Sequence, residues 1–406
     1  MNPKQTRDYL LKVLKLDAKK EVNLTPMVWG GAGVGKSSII YQVGNELGYE
    51  VREIRLSTLS PVDVRGVPYV DPHNTDFFKF VPPSFLPIPE NDTLIEQTSP
   101  DLKFLLLEKN FTIEQCAKIL NAEAVLSISS KTHTALVANN EVKISKKPVL
   151  LFFDEINTAV PANQVVAYEI ALNRRMGGHD LPKGTLVVMA GNRVTDRGAT
   201  YEMPMPLANR LIHMTVDADS EEFIKWGLEN GVDDSVVAFI KYRPNLLQLP
   251  GKDPAFPSPR SWEFVSTMMK EYADLTTEEV AGIIGMGAAT EFMAFTSLKK
   301  ELPDLDKILY EGEKFEHKQM DILYFYSVAL SSKLVKDFSK HKSIFGLPAE
   351  EAAKFDKALN NYVDAISILD PEVQALALTC IRTDNKIIMA LGKNRKIFNA
   401  IQKVLK

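Results

Sequence analysis

The sequence is poor in cysteine and carries no excess of either charge. Its two cysteines, Cys116 and Cys380, lie far apart in 406 residues, which excludes a disulfide scaffold and a cysteine-rich zinc site. We expect both thiols to be reduced, as in a cytoplasmic protein. Lys and Arg number 48 against 52 Asp and Glu, a net charge of −4. This balance gives no general attraction to nucleic acid.

Long apolar runs are also absent. The longest, such as Val149–Phe153, fall far short of the roughly 20 residues that span a membrane. The first 20 residues are charged throughout, so we expect no signal peptide there. They predict an amphipathic helix packed on the first domain, and binding to a membrane surface is the alternative. Its apolar face comprises Tyr9, Leu10, Val13, Leu14 and Leu16.

Strands and helices alternate in the first half of the chain. The predicted strands are Thr25–Trp29, Glu50–Ser57, Val149–Phe153, Leu186–Ala190 and Leu211–Val216. Helices are predicted between them, beginning with Lys36–Leu47. This order predicts an α/β fold with a parallel sheet covered by helices on both faces. Two further runs, Val67–Val70 and Phe77–Val81, flank turn-forming residues and predict a hairpin.

The pattern becomes helical near Val216–Ser220. Six segments there have helical periodicity: Ser220–Tyr242, Ser261–Tyr272, Thr277–Lys300, Met320–Lys333, Pro348–Leu369 and Pro371–Arg382. We therefore predict an α/β domain over residues 1–216, an all-α domain over 217–310 and a helical C-terminal extension over 311–406.

Residues 91–147 separate two strands that should be neighbours in the sheet. We interpret them as an inserted subdomain with a helix at Thr112–Leu120. A hairpin at Thr134–Ile144 is predicted to turn at Asn139-Asn140. A surface elaboration without a further role is the alternative.

A phosphate-binding motif lies between the first predicted strand and helix. Gly30–Ser37 reads GGAGVGKS and matches G-x-x-x-x-G-K-[ST]. Its glycines let backbone N–H groups surround phosphates, and the helix N-terminus adds a positive dipole end. Lys36 is then expected to reach the β and γ phosphates, and the Ser37 hydroxyl to bind Mg²⁺. An ordinary glycine-rich turn is the alternative.

Two later strands end in polar residues. Asp154 and Glu155 follow the strand at Val149–Phe153. We predict that Asp154 holds Mg²⁺ and that Glu155 polarises the attacking water. Asn192 follows another strand and could orient that water, or it could simply form a turn. Paired carboxylates downstream of a phosphate loop favour hydrolysis over phosphoryl transfer to a substrate hydroxyl.

Two arginines extend this series. Arg210 precedes the last predicted strand, and Arg260 begins a helix in the second half of the chain. Guanidinium groups stabilise the charge on a transferring phosphoryl group. The alternative for each is a surface ion pair.

In this order the motifs resemble those of AAA+ ATPases, and more narrowly those of the MoxR-like ATPases in their phage and bacterial branch. The narrower resemblance spans about Met27 to Phe264 and is weak beyond Asp306. It rests on the segments Pro61–Pro68, Phe77–Leu86, Asp154–Asn157, Asn173–Arg175, Asp196–Ala199 and Ser258–Arg260.

The resemblance implies ATP and Mg²⁺ as cofactors and assigns roles to residues. Asp154 and Ser37 become the metal ligands, and Glu155 the catalytic carboxylate. Asn192 becomes sensor 1, Arg210 the arginine finger, and Arg260 sensor 2 in a helical lid domain, while Arg197 is a second candidate for an intersubunit arginine. The nucleotide contacts implied are Gly30, Gly31, Ala32, Gly33, Val34, Gly35, Lys36, Ser37 and Ser38.

Three functions are compatible with these motifs. The first is a ring-shaped ATPase, a hexamer by resemblance, that remodels a partner protein such as one with a von Willebrand factor A domain. Hairpins at Val67–Phe80 and Arg175–Lys183 would then face its central pore. The second is a nucleic-acid motor, for which Arg174 and Arg175 would supply positive charge although the overall charge argues against it. The third is a nucleotide-dependent scaffold that hydrolyses ATP slowly.

Overall fold

The chain divides into two compact units in a computed structural model. They comprise residues 1–217 and 218–406, and each is described by itself. The structure describes residues 1–71, 74–87, 93–97, 125–129, 134–137, 140–146, 149–176, 179–182, 184–193, 201, 203–250, 253–339, 348–382 and 387.

The first unit contains thirteen strands and five α-helices within the described ranges. In chain order they are α1 (Pro3–Lys20), β1 (Pro26–Gly30), α2 (Lys36–Leu47), β2 (Glu50–Arg55), α3 (Pro61–Arg65), β3 (Val67–Asp71), β4 (Asn74–Val81), β5 (Thr93–Gln97), β6 (Val125–Ser129), β7 (Thr134–Val137), β8 (Asn140–Lys146), β9 (Val149–Asp154), α4 (Pro161–Asn173), β10 (Arg175–Met176), β11 (His179–Asp180), β12 (Leu186–Gly191), α5 (Met205–Ala208) and β13 (Ile212–Val216). Short 3₁₀ turns occupy Leu56–Thr58 and Ile156–Thr158.

Five parallel strands form the central sheet, in the order β13-β1-β12-β9-β2. Every residue of β9 and β12 is buried, as expected for strands covered on both faces. Side chains such as Met27, Phe153 and Met189 pack with Ile170 of α4 in one core. The predicted parallel sheet is confirmed. The second strand is shorter than predicted, because a 3₁₀ turn begins at Leu56.

The first helix packs within the first unit, as predicted. Asn2 caps it, and Leu10, Val13 and Leu14 are buried. Two residues of the predicted apolar face, Tyr9 and Leu16, are instead exposed. The buried stripe is therefore narrower than the sequence pattern indicated.

Smaller antiparallel sheets lie outside the central one. β3 pairs with β4 and β10 with β11, as the two hairpin predictions require. β5 to β8 form a separate sheet in the order β5-β8-β7-β6 within residues 91–147. Val137 pairs with Asn140, so Asn140 belongs to β8 and not to the turn. The predicted helix at 112–120 lies outside the described residues.

The second unit is helical. Its α-helices are α6 (Ser220–Glu229), α7 (Asp234–Tyr242), α8 (Pro259–Glu271), α9 (Thr277–Ile284), α10 (Met286–Ser297), α11 (Met320–Ser339), α12 (Ala349–Ser367) and α13 (Pro371–Ile381). Shorter helical turns occupy Pro244–Leu246, Leu298–Glu301 and Lys307–Glu311.

Two predicted helices are each divided by a glycine. Gly231 (φ 71°) separates α6 from α7, and Gly285 (φ 79°) separates α9 from α10. A positive φ interrupts an α-helix, and glycine adopts it without steric cost. One core then joins helices from both predicted helical domains, with Trp262 and Phe292 in the same cluster as Tyr326. The boundary near residue 310 stays a prediction.

Candidate nucleotide-binding site

The loop after β1 has the geometry of an anion-binding turn. Gly33 (φ 73°) and Gly35 (φ 94°) both adopt left-handed backbone conformations. Gly35 is the N-cap residue of α2, and no side chain caps this helix end. The first N–H groups of α2 are therefore without a side-chain cap, in the arrangement that helix N-termini use to bind phosphate.

The ammonium group of Lys36 lies inside this loop. Its Nζ donates hydrogen bonds to the carbonyl oxygens of Gly30 (2.8 Å) and Gly31 (3.0 Å) and to Asn192 Oδ1 (2.8 Å). Lys36 is buried. Two of the predicted site residues, Lys36 and Asn192, thus meet across 156 positions of sequence.

The two predicted metal ligands are also in contact. Ser37 Oγ donates a hydrogen bond to Asp154 Oδ2 over 2.9 Å, and Asp154 Oδ1 accepts the N–H of Glu155 over 2.9 Å. Hydroxyl and carboxylate oxygens are ligands that Mg²⁺ prefers. The donor set at the end of β9 therefore fits a magnesium ion bound together with a nucleotide.

Glu155 occupies a strained turn at the mouth of the site. Its φ of 52° lies in the left-handed region, which is uncommon for a residue with a side chain. The turn is fixed by Thr158, whose N–H (2.9 Å) and hydroxyl (2.8 Å) both donate to the Glu155 carbonyl. The Glu155 side chain is exposed, so it can contact water.

Asn157 is a site residue whose role the sequence did not indicate. Its Nδ2 donates to the Asn192 carbonyl (2.7 Å), and its Oδ1 accepts the Asn192 N–H (3.2 Å). Asn157 is buried. It belongs to the motif Asp154–Asn157, and its position two residues after the predicted catalytic carboxylate was the only signal in the sequence.

Arg55 is a second residue that sequence reasoning missed. It ends β2 and pairs in register with Asp154. Its Nε donates to Glu53 Oε1 over 2.7 Å. The pKa of Arg55 is raised first by this hydrogen bond and the charge of Glu53, and further by the charges of Asp154 and Glu155. A positive charge therefore stands beside both carboxylates.

The three predicted arginines, Arg210, Arg260 and Arg197, lie in different parts of the chain. Arg210 is exposed and follows α5. Among the described residues, no hydrogen bond or ion pair involves its guanidinium group. Arg260 belongs to the second unit and is exposed in the first turn of α8. Arg197 lies outside the described residues. The roles of all three stay predictions.

Arg174 is buried in an ion pair, which contradicts the hypothesis that it supplies positive charge at a pore surface. Its Nη2 lies 3.1 Å from Asp17 Oδ2 in a buried ion pair. It also donates to Thr25 Oγ1 and to the carbonyls of Ala171 and Leu24. Burial lowers its pKa, although Asp17 opposes this effect. Its neighbour Arg175 is exposed and pairs with Asp180.

Comparison with known proteins supports this fold. Residues 26–201 match the model of the ATPase family associated with various cellular activities (AAA). With the parallel sheet and the phosphate loop, this match identifies an AAA+ P-loop NTPase fold followed by a helical region. No match was found among the curated proteins.

Several solved structures align with most of this chain at low sequence identity and low TM-score. A proline-to-glycine variant of RuvB from Thermotoga maritima is 13% identical, with a TM-score of 0.35, and the alignment covers 89% of this chain and 88% of that one. The T. maritima RuvB Holliday junction branch migration motor is 13% identical, with a TM-score of 0.34 and coverages of 88% and 86%. A proposed ATPase from Cytophaga hutchinsonii is 12% identical, with a TM-score of 0.29 and coverages of 98% and 88%.

Proposed function

We propose that this chain is a MoxR-like AAA+ ATPase that hydrolyses ATP with Mg²⁺, acts as a hexameric ring in the cytoplasm, and remodels a partner protein. One observation carries the catalytic part of this proposal. Lys36 contacts Asn192 and the adjacent Ser37 contacts Asp154, so the start of α2 is hydrogen-bonded both to the end of β9 and to the residue that follows β12. An ordinary glycine-rich turn would not need the Asp154 and Asn192 contacts.

The chemistry follows from the groups in this set. The Lys36 ammonium group balances the charge of the β and γ phosphates, and the α2 N–H groups bind their oxygens. Bound by Ser37 and Asp154, Mg²⁺ would neutralise phosphate charge and align the γ-phosphate for attack. Glu155 accepts a proton from the attacking water, and the Asn192 carboxamide orients that water.

The position of Arg210 supports its role in a neighbouring subunit. Gly30 pairs with Val216 at the carboxyl end of β13, whereas Arg210 precedes the amino end of the same strand. The four residue steps from Ile212 to Val216, at about 3.3 Å each, already place the two ends of this strand on the order of 13 Å apart, and Arg210 lies before its amino end. Arg210 is thus far from the phosphate loop of its own chain. A ring would bring it to the site of the next subunit.

The hairpin of β3 and β4 supports a protein partner. Val67, Tyr69 and Val70 of this hairpin are large, apolar and exposed. Exposed apolar side chains on one short element are typical of protein contacts, whereas binding to nucleic acid requires positive charge. The nucleic-acid alternative has also lost Arg174 as a source of that charge. A protein with a von Willebrand factor A domain is the partner that the MoxR resemblance favours.

Nucleotide binding and hydrolysis by two lysine variants test the catalytic proposal. Lys36→Ala should lose detectable binding of a fluorescent ATP analogue, because the phosphates lose their cation. Lys12→Ala is the control, because Lys12 is exposed on α1, and it should bind and hydrolyse ATP as the wild type does. Unchanged binding by Lys36→Ala would contradict the assignment of the phosphate loop.

Co-purification tests the partner. The exposed hairpin residues are replaced together in Val67→Ser/Tyr69→Ser/Val70→Ser, which leaves the nucleotide site untouched. Basal ATP hydrolysis should persist in this variant. A protein that co-purifies with the wild type should no longer co-purify with the variant. Stimulation of hydrolysis by DNA or RNA, but by no co-purified protein, would favour the nucleic-acid motor instead.

A further inference from the structure

Asn157 makes a two-point contact with the backbone of Asn192. Its carboxamide donates to the Asn192 carbonyl over 2.7 Å and accepts the Asn192 N–H over 3.2 Å. A side chain that satisfies both groups of one residue fixes that residue in position and in rotation. The Asn192 side chain in turn contacts Lys36 Nζ. The orientation of Asn192 therefore depends directly on Asn157.

The contact lies where two strands separate. β9 and β12 are paired in register from Leu150 with Leu186 to Phe153 with Met189. Beyond that point no described backbone pairing joins Glu155 to Asn192, and the Asn157 carboxamide provides the connection. Asn157 lies in the 3₁₀ turn that Glu155 caps, so only Ile156 separates the two residues in the chain.

The surroundings leave the carboxamide little freedom. Asn157 is 2% exposed, and its own carbonyl accepts the N–H of Tyr201 over 2.7 Å. At Gly191 a Cβ atom would lie 2.6 Å from Asn157 Oδ1. Glycine at the end of β12 therefore makes room for the carboxamide against the backbone.

We infer that Asn157 is a positioning residue, which sets the distance and orientation of Asn192 relative to Glu155 at the hydrolytic site. This inference rests on the proposed ATP hydrolysis. Asn157 touches neither nucleotide nor water in this role and acts through Asn192. Because misplacing a catalytic group by about 1 Å can cost about 100-fold in rate, a loose Asn192 should slow hydrolysis more than it weakens ATP binding.

Aspartate at this position provides a test that a merely structural role would not pass. An aspartate carboxylate can accept the Asn192 N–H but repels the Asn192 carbonyl oxygen. A protonated aspartic acid has one donor and one acceptor and restores the original pattern. Burial and the facing carbonyl raise the pKa of such a carboxyl group. The activity of Asn157→Asp relative to wild type should therefore rise as the pH falls.

A matched control exists on α4. Asn163 is also buried, and its Nδ2 donates to the carbonyls of Leu56 (3.0 Å) and Leu59 (2.7 Å). Replacing it removes two backbone contacts of the same kind outside the nucleotide site. Asn163→Ala therefore reports what the loss of a buried carboxamide does to stability alone.

The experiment measures kcat and KM for Mg-ATP between pH 5.5 and 8.5, with folding checked by circular dichroism. Hydrolysis by the wild type and its loss in Glu155→Gln are established first. We expect kcat of Asn157→Ala to fall about 10- to 100-fold, with KM within about threefold. At pH 8.5 the kcat of Asn157→Asp should equal that of Asn157→Ala. At pH 5.5 the ratio of the Asn157→Asp kcat to the wild-type kcat should be at least about fivefold higher than at pH 8.5.

Several results would overturn the inference. They are a kcat of Asn157→Ala within twofold of wild type, an equal loss of kcat in Asn163→Ala, a flat pH ratio for Asn157→Asp, or failure of both Asn157 variants to fold at every pH. If the wild type hydrolyses no ATP, the proposed function itself fails. If only the Asn157 results deviate, the proposed function stands and this role alone is rejected.

Discussion

Two adjacent arginines, Arg174 and Arg175, should contribute very differently to the stability of the first unit. Arg174 and Asp17 form an ion pair with side-chain exposures of 10% and 4%, whereas those of Arg175 and Asp180 are 54% and 82%. Arg174→Met removes the cation and leaves the Asp17 carboxylate buried. Breaking a buried pair in this way costs about 3–5 kcal/mol. Removing an exposed pair with Arg175→Met costs about 0–1 kcal/mol.

Differential scanning calorimetry can separate these values. In a unit of about 200 residues, 1 kcal/mol shifts Tm by about 2–4 °C. Arg174→Met should therefore lower the Tm of the first unit by roughly 6–20 °C, and Arg175→Met by less than about 4 °C. The double variant Asp17→Asn/Arg174→Met should recover part of the loss, because no uncompensated charge stays buried.

Equal Tm values for the two single variants would refute this reasoning. A normal Tm for both, with loss of stimulation by DNA in both, would restore the basic-pore hypothesis that the buried ion pair contradicts. The Tm of the double variant Asp17→Asn/Arg174→Met, compared with that of Arg174→Met, is a separate check. A Tm lower than that of Arg174→Met would mean that the Asp17 charge is not the source of the loss.

Three other predictions follow from the described contacts. Subunits with Arg210→Ala and subunits with Glu155→Gln should each be inactive alone. Mixing them should restore part of the ATPase rate if Arg210 acts on a neighbouring site. Well-folded mixed rings without recovery would contradict that role. Replacing residues 91–147 by a short Gly-Ser loop should leave basal hydrolysis intact, since β5 to β8 pair only with one another in the part of the chain that the structure describes; loss of folding would place the segment in the core. Burial raises the pKa of the Cys380 thiol, so in a Cys116→Ser background Cys380 should react with a thiol reagent at least about tenfold faster in urea than in buffer, and equal rates would contradict its burial.

Local patterns predicted the central sheet well. An apolar run or a glycine-rich loop is a signal carried by consecutive residues. The strands β1, β9 and β12 and the phosphate loop could therefore be placed without tertiary information. The terminal polar residues Asp154 and Asn192 were predicted to serve the same phosphate site. Their side chains contact Ser37 and Lys36, the first two residues of α2.

The contacts that the sequence did not predict join residues far apart in the chain. Asn157 contacts a residue 35 positions away, and Arg174 an aspartate 157 positions away. No periodicity links such partners, so Arg174 resembled a surface arginine. The divisions at Gly231 and Gly285 were missed because apolar periodicity continues across a single glycine, whereas the backbone does not.

Single-turnover hydrolysis of radiolabelled Mg-ATP by Glu155→Gln tests the central claim most directly. The control is Glu169→Gln, because Glu169 is exposed on α4. Loss of the group that activates water should reduce the rate about 100-fold or more, with ATP affinity preserved because Lys36, Ser37 and Asp154 are intact. Glu169→Gln should hydrolyse ATP at the wild-type rate. Hydrolysis by Glu155→Gln at that same rate would contradict the proposed site.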